Sequence, residues 1–377
     1  MSPFGEPHRF RPTKISMCLL GVVILLGSAP PAFSQNVDIA RIRADWQKRF
    51  EKSHNVYYEL DGNITYAKGM LATNDGSGAR DKIPKGGFPE KELSKPLAAS
   101  WSIDFDNLKF RKYDMQHVCN VSELTFSKRE QLVGFDGTRS WSTHPYEKKI
   151  INFFRSKWDT DYSSSIDEAV FFAHGVFPIK RLLYKELHRQ TEDSIKITTV
   201  GRKKVQGREC EVIKVEPKKP LTNRNEIRLY VDPARQSAVT RYESYQFGIP
   251  TLQTDVDYVF DKRHKLWLPS RITVLWHELR WFPEDPANPA PFPSEDLGKP
   301  KGWHVLPVLG HVIDLKVVKR QVNQGFAKDA FDPPLKPGQV VLDHENKLKF
   351  HVVESDDGVA LKPFLGRVQV GGAAFLE

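Results

Sequence analysis

Val56-Tyr57-Tyr58-Glu59-Leu60-Asp61-Gly62-Asn63-Ile64-Thr65-Tyr66 is the stretch that sets the fold class. Val56, Tyr58, Leu60, Ile64 and Tyr66 alternate with Tyr57, Glu59, Asp61, Asn63 and Thr65. A period of two predicts a long strand with one buried face. Immediately upstream the period is different. Ile39, Ile42, Trp46 and Phe50 recur at spacings of three and four, with Arg41, Arg43, Lys48 and Arg49 between them, so residues 37–53 read as an amphipathic helix.

Downstream, residues 69–97 carry glycines, prolines and charges without periodicity and read as a loop. Trp101, Ile103 and Phe105 then alternate up to Asp106-Asn107, and Leu108, Phe110 and Lys112 form a return strand. Phe135-Asp136-Gly137-Thr138 is a hairpin signal, because Asp-Gly accepts the positive φ angles of a tight turn. Trp141 follows it, and residues 150–154 suit one more strand.

The middle of the chain breaks the pattern. Ser163-Ser164-Ser165 can cap a helix, Asp167 and Glu168 suit its first turn, and Ile166, Ala169, Val170, Phe171, Phe172 and Ala173 surround it with apolar side chains. A helix apolar on all sides is buried on several. A second helix is expected from Pro178 to about His188.

Strands near residues 195–203, 209–216, 226–231, 238–247, 252–260 and 267–276 then follow one another across short turns. This spacing predicts an antiparallel meander, not a βαβ fold. The links include Gly248-Ile249-Pro250. Six prolines between residues 283 and 300 mark a Pro-rich insertion, set at about 279–303, and a strand over 312–318 comes after it.

The N-terminus reads as an address. Arg9, Arg11 and Lys14 precede an apolar run over 17–27, and Ala32-Phe33-Ser34 offers small residues where a signal peptidase cuts. The expectation is a signal peptide over 1–34, a mature start at Gln35 and an exported, periplasmic or secreted protein. Eleven apolar residues fall short of the roughly 20 needed to cross a bilayer as a helix. The chain of 377 residues carries a net charge of +9, and losing the leader's three basic residues and one acidic residue leaves +7. Such a surface suits an anionic partner, and export argues against nucleic acid.

Chemistry is sparse. Walker, GxGxxG, GxSxG and CxxC patterns are absent. His277-Glu278 begins like a zinc-protease motif, but Trp281 stands where the second histidine belongs; His277 is expected at a strand end. No catalytic residue, metal site or cofactor is assigned, and the expectation is a protein that is not an enzyme. Cys119 and Cys210 could pair as a disulfide in an oxidising compartment or remain free and buried.

The order of helix, long strand, hairpins, central helical segment, meander and closing strand resembles the LolA/LolB-like family of periplasmic lipoprotein carriers and sensors. The residues behind the resemblance are Phe135-Asp136-Gly137 with Trp141, and Glu226-Ile227-Arg228-Leu229-Tyr230-Val231-Asp232-Pro233. Leu266-Trp267-Leu268-Pro269 and Phe331, Pro337-Gly338 and Val341-Leu342-Asp343 complete it. The resemblance implies a mainly β fold of the α+β class: an incomplete antiparallel β-barrel or curved sheet over 35–343, with an N-terminal helix, a central helical plug and an apolar cavity. Residues 344–377 are expected to be a C-terminal tail. No ligand residue carries over from the family.

Two functional classes follow. One is a binding protein that takes a lipid or a lipoprotein acyl chain on the concave face of the sheet, with Ile166, Val170, Phe171, Phe172 and Phe177 as cavity or gate residues. The other is a regulatory or scaffolding module that contacts another envelope protein without a small ligand.

Overall fold

The computed structural model describes residues 37–71, 83–84, 86–120, 122–143, 150–153, 165–175, 195–217, 226–283, 302–343, 348–355 and 358–363. The expected leader and the expected helix over 178–188 lie outside them.

Helix α1 (Ile39–Glu51) opens on Asp38, whose side chain accepts the Arg41 N–H at 2.9 Å, and it ends with Lys48 and Arg49 in its last turn. Both ends therefore suit the helix dipole. Strand β1 (Asn55–Tyr66) follows within four residues. Next come β2 (Leu93–Asp104), β3 (Lys109–Asn120), β4 (Thr125–Phe135), β5 (Ser140–Thr143) and β6 (Ile150–Phe153). Helix α2 (Ser165–Ala173) separates them from β7 (Ile195–Val205), β8 (Arg208–Pro217), β9 (Glu226–Asp232), β10 (Ala238–Gln246), β11 (Ile249–Asp261) and β12 (Leu266–Pro283). The chain closes with β13 (Trp303–Val322), β14 (Val340–Asp343), β15 (Leu348–Ser355) and β16 (Gly358–Pro363).

Among the described residues all sixteen strands form one sheet, in the order β16-β15-β14-β6-β5-β4-β3-β2-β1-β13-β12-β11-β10-β9-β8-β7. Every neighbouring pair is antiparallel except β14 and β6. The two end strands do not meet, so the curved sheet is an incomplete barrel, as expected. The alternation in β1 sets its core face: Val56, Tyr58, Leu60, Ile64 and Tyr66 are all buried. Tyr58 lies opposite Trp101 of β2, and the main core gathers on this face beneath α1 and α2.

Four expectations are corrected. Strand β2 begins at Leu93, inside the expected loop, although it contains Pro96. The proline is tolerated because Pro96 pairs with Asn63 on one side only; pairing with β3 starts at Ala98, so the missing N–H faces an open edge. Strand β13 is far longer than 312–318, and the strand ladder takes both ends of the expected 279–303 insertion, with Pro283 opposite Trp303. Strand β11 starts at Ile249, and its turn is Phe247-Gly248, with φ of 54° and 78°. The tail is not separate. Residues 348–355 and 358–363 extend the sheet from β14, which is held by its parallel pairing with β6.

Candidate functional site

The concave face of β10, β11 and β12 carries α2. Ile166, Ala169, Val170 and Ala173, spaced by three and four, share one side of this helix; Phe171 points elsewhere. All five are buried, so the helix is enclosed on more than one side. Of the other sequence-derived candidates, Phe172 lies in α2 with its side chain outside the described set, and Phe177 lies outside it altogether.

The C-terminal end of α2 is fastened to α1. Arg49 is 1% exposed, and its guanidinium is enclosed by backbone carbonyls. Its Nε donates to Ala173 O at 3.0 Å, Nη2 donates to Ala173 O and to Trp267 O (2.6 Å), and Nη1 reaches Arg235 O at 3.4 Å. The Tyr258 ring lies 5.9 Å from the guanidinium carbon. Burial lowers the Arg49 pKa from its ordinary value. Four hydrogen bonds to carbonyl dipoles satisfy the cation in place of a carboxylate.

His174 follows, fully buried between Ser53 and Tyr58, with Nδ1 at 2.7 Å from Ser53 Oγ and Nε2 at 2.7 Å from Tyr58 Oη. Ser53 Oγ donates to Arg49 O at 3.0 Å. With that hydroxyl proton committed, Nδ1–H donates to Ser53 and Nε2 accepts from Tyr58, which assigns a neutral imidazole. Burial, helped by the Arg49 charge, pushes the His174 pKa down to about 3. Gly175, with φ of 70°, completes the clasp: a Cβ here would lie 2.2 Å from Trp46 O. Trp46 in turn donates its indole N–H to Ser237 O at 2.7 Å.

The other end of the concave face is aromatic. Tyr66 packs on Phe126 (4.6 Å between centroids) and His311 (5.9 Å), Phe88 stacks on Phe126 (5.5 Å), and Trp276 lies parallel to His311 (5.9 Å, 5°). Trp276 keeps 38% of its surface exposed, so this end reaches solvent. Tyr66 donates to His117 O, and burial pushes its pKa up to about 12 and that of His311 down to about 4. Arg280 donates to Gly69 O and Met70 O, and so holds the start of the β1–β2 connection against this end. A buried cation shares the sheet register of Tyr58, through Trp101. Lys112 is 6% exposed, its Nζ is 5.8 Å from the Trp101 ring centre and 3.9 Å from Asp114 Oδ2.

Sequence reading found α2 but not its clasp. Arg49 continues the Ile42-Trp46 spacing by three residues, which places it on the buried side of α1, yet its charge assigned it to the polar side. The two cysteines are free. Cys119 packs against the main core, whereas Cys210 sits in a separate cluster with Val205, Val212 and Tyr230. His277 lies within β12, not at its end. Among the described residues no three His, Cys, Asp or Glu side chains gather as metal ligands, and no helix is long and apolar enough to cross a membrane.

No family model and no curated protein matches the chain. Solved structures do. The chain is similar to a Vibrio parahaemolyticus domain described as belonging to outer membrane lipoprotein sorting: 9% identity, TM-score 0.40, 77% of this chain and 95% of that one. A DUF1329 family protein from Desulfovibrio piger matches at 11% identity and TM-score 0.40, over 78% and 97%. A LolA superfamily protein from Nitrosomonas europaea matches at 10% identity and TM-score 0.37, over 76% and 97%.

Proposed function

We propose that this chain is an exported, non-enzymatic protein that binds a lipid or a lipoprotein acyl chain against the concave face of its open sheet. The observation that carries this reading is α2. A short apolar helix fills the hollow of β10–β12 through non-directional contacts, and among the described residues its hydrogen-bonded fastening lies at its C-terminal end. An acyl chain offers similar burial per unit area and can take the place of such side chains without leaving a polar group unpaired. In this reading Ile166, Val170 and Phe171 leave the sheet on ligand entry, and α2 pivots on Arg49 and His174. The aromatic end at Tyr66 and Trp276 is the mouth.

Native mass spectrometry of protein purified from its own host tests the reading, together with displacement of a fluorescent fatty acid. Co-purified lipid and saturable displacement are expected. Lipid-free protein that binds no probe would leave the scaffolding role instead.

A further inference from the structure

We propose that the tip of the β11–β12 hairpin is a docking surface for an anionic phospholipid bilayer. Its turn presents Lys262, Arg263 and Lys265, all exposed. Among the described residues none of these three side chains makes an ion pair. The one acid of the turn, Asp261, is directed inward: it accepts the Arg263 and His264 N–H groups at 2.8 and 3.2 Å and pairs with His264 Nδ1 at 3.0 Å.

Apolar surface flanks these cations. Val259 is 37% and Phe260 42% exposed, and as adjacent strand residues they project to opposite sides of the hairpin. The Phe260 ring packs on Trp267 at 5.2 Å, and the Arg235 guanidinium carbon lies 4.8 Å from the Trp267 ring centre, which braces the aromatic pair.

The β7–β8 hairpin shows what an ordinary charged tip looks like in this protein. There Arg202 pairs with Glu211 at 3.5 Å and Lys204 with Glu209 at 4.0 Å. Unpaired cations beside exposed apolar side chains supply both components of interfacial binding: attraction to anionic headgroups and insertion at the acyl boundary. The net charge, +9 for the full chain and +7 once the expected leader is lost, favours approach to the same surface. A soluble acidic partner would use the cations but leave Val259 and Phe260 in water, so the bilayer is the occupant that fits both.

Vesicle sedimentation tests this with protein purified from its own host and variants made there. Wild type is expected to bind vesicles of equal parts phosphatidylglycerol and phosphatidylcholine, not phosphatidylcholine alone. K262E/R263E/K265E should bind at least about tenfold more weakly. F260S, with no change of charge, should weaken binding several-fold, and K203E/K204E at the other tip should leave it near wild type. Unchanged thermal midpoints verify that the variants fold. The proposal is overturned if wild type ignores anionic vesicles or the triple variant binds as wild type does. It is equally overturned if F260S has no effect, or if K203E/K204E loses as much binding as the triple variant. Acyl-chain binding is measured separately by probe displacement, so either result can fail without the other.

Discussion

The Arg49 Nε lies 3.0 Å from the carbonyl oxygen of Ala173, joining the last turn of α1 to the last residue of α2. A charged donor thereby occupies the carbonyl end of α2, where a helix carries partial negative charge. This contact fixes one end of the helix that fills the concave face.

Replacing Arg49 with Met keeps the length of the stem and removes the donors, so the carbonyls of Ala173, Arg235 and Trp267 lose their partner. The expected loss is about 2–4 kcal/mol of stability, read as a lower urea midpoint. Arg49→Lys should be intermediate, since one ammonium cannot span all three carbonyls.

His174 makes stability depend on pH. Its pKa falls from 6.5 to about 3 in the folded protein, so below pH 6.5 the unfolded chain binds the extra proton. Stability is then fully present above pH 6.5 and declines toward pH 3, by up to about 1.4 kcal/mol per pH unit. His311, lowered to about 4, adds in the same direction. Urea titrations from pH 7 to 4.5 should show the slope, and His174→Gln should flatten it. An unchanged slope in that variant would remove His174 as its source.

Hydrogen exchange addresses the pivot. Amides of Ser165–Ala173 are expected to exchange faster than those of β10–β12 in lipid-free protein and to respond to added lipid. If they exchange as slowly as the strands under both conditions, α2 is permanent core.

Gly62 faces the backbone of β13, and a Cβ there would lie 1.9 Å from Asp314 O. Gly62→Ala must push two central strands apart and should cost more than about 2 kcal/mol, measured by chemical denaturation.

Thiol mapping should find Cys119 and Cys210 both unpaired, with Cys210 labelled only after unfolding. Burial raises both thiol pKa values, which slows their native-state reaction. A mass increase on reduction would instead reveal a bond.

Periodicity made much of the fold legible. The three-and-four spacing from Ile39 to Phe50 and the alternation from Val56 to Tyr66 place α1 and β1 nearly to the residue, and regular turn signals place β7 to β10. These patterns are local, since each reports which side of one element is buried. Beyond them local pattern misleads. Pro96 reads as a break, but its strand position is decided by which neighbour stops short, and the strands after Asp343 read as a tail because the strand they extend, β14, joins the sheet through β6, which is remote in sequence.

The sequence alone determined the class of the protein: an antiparallel sheet interrupted by one enclosed apolar helix, since burial of alternating or encircling side chains leaves few other arrangements. Only the tertiary structure decided how that helix is held. A charged Arg49 on the buried side of α1 has no local partner, and it is stable there because three carbonyls from distant segments converge on it. His174 is likewise neutral only because Ser53 and Tyr58 meet around it. Composition and spacing carry no record of such convergence, because the desolvation of a buried charge or imidazole is offset by groups brought together in space, not along the chain.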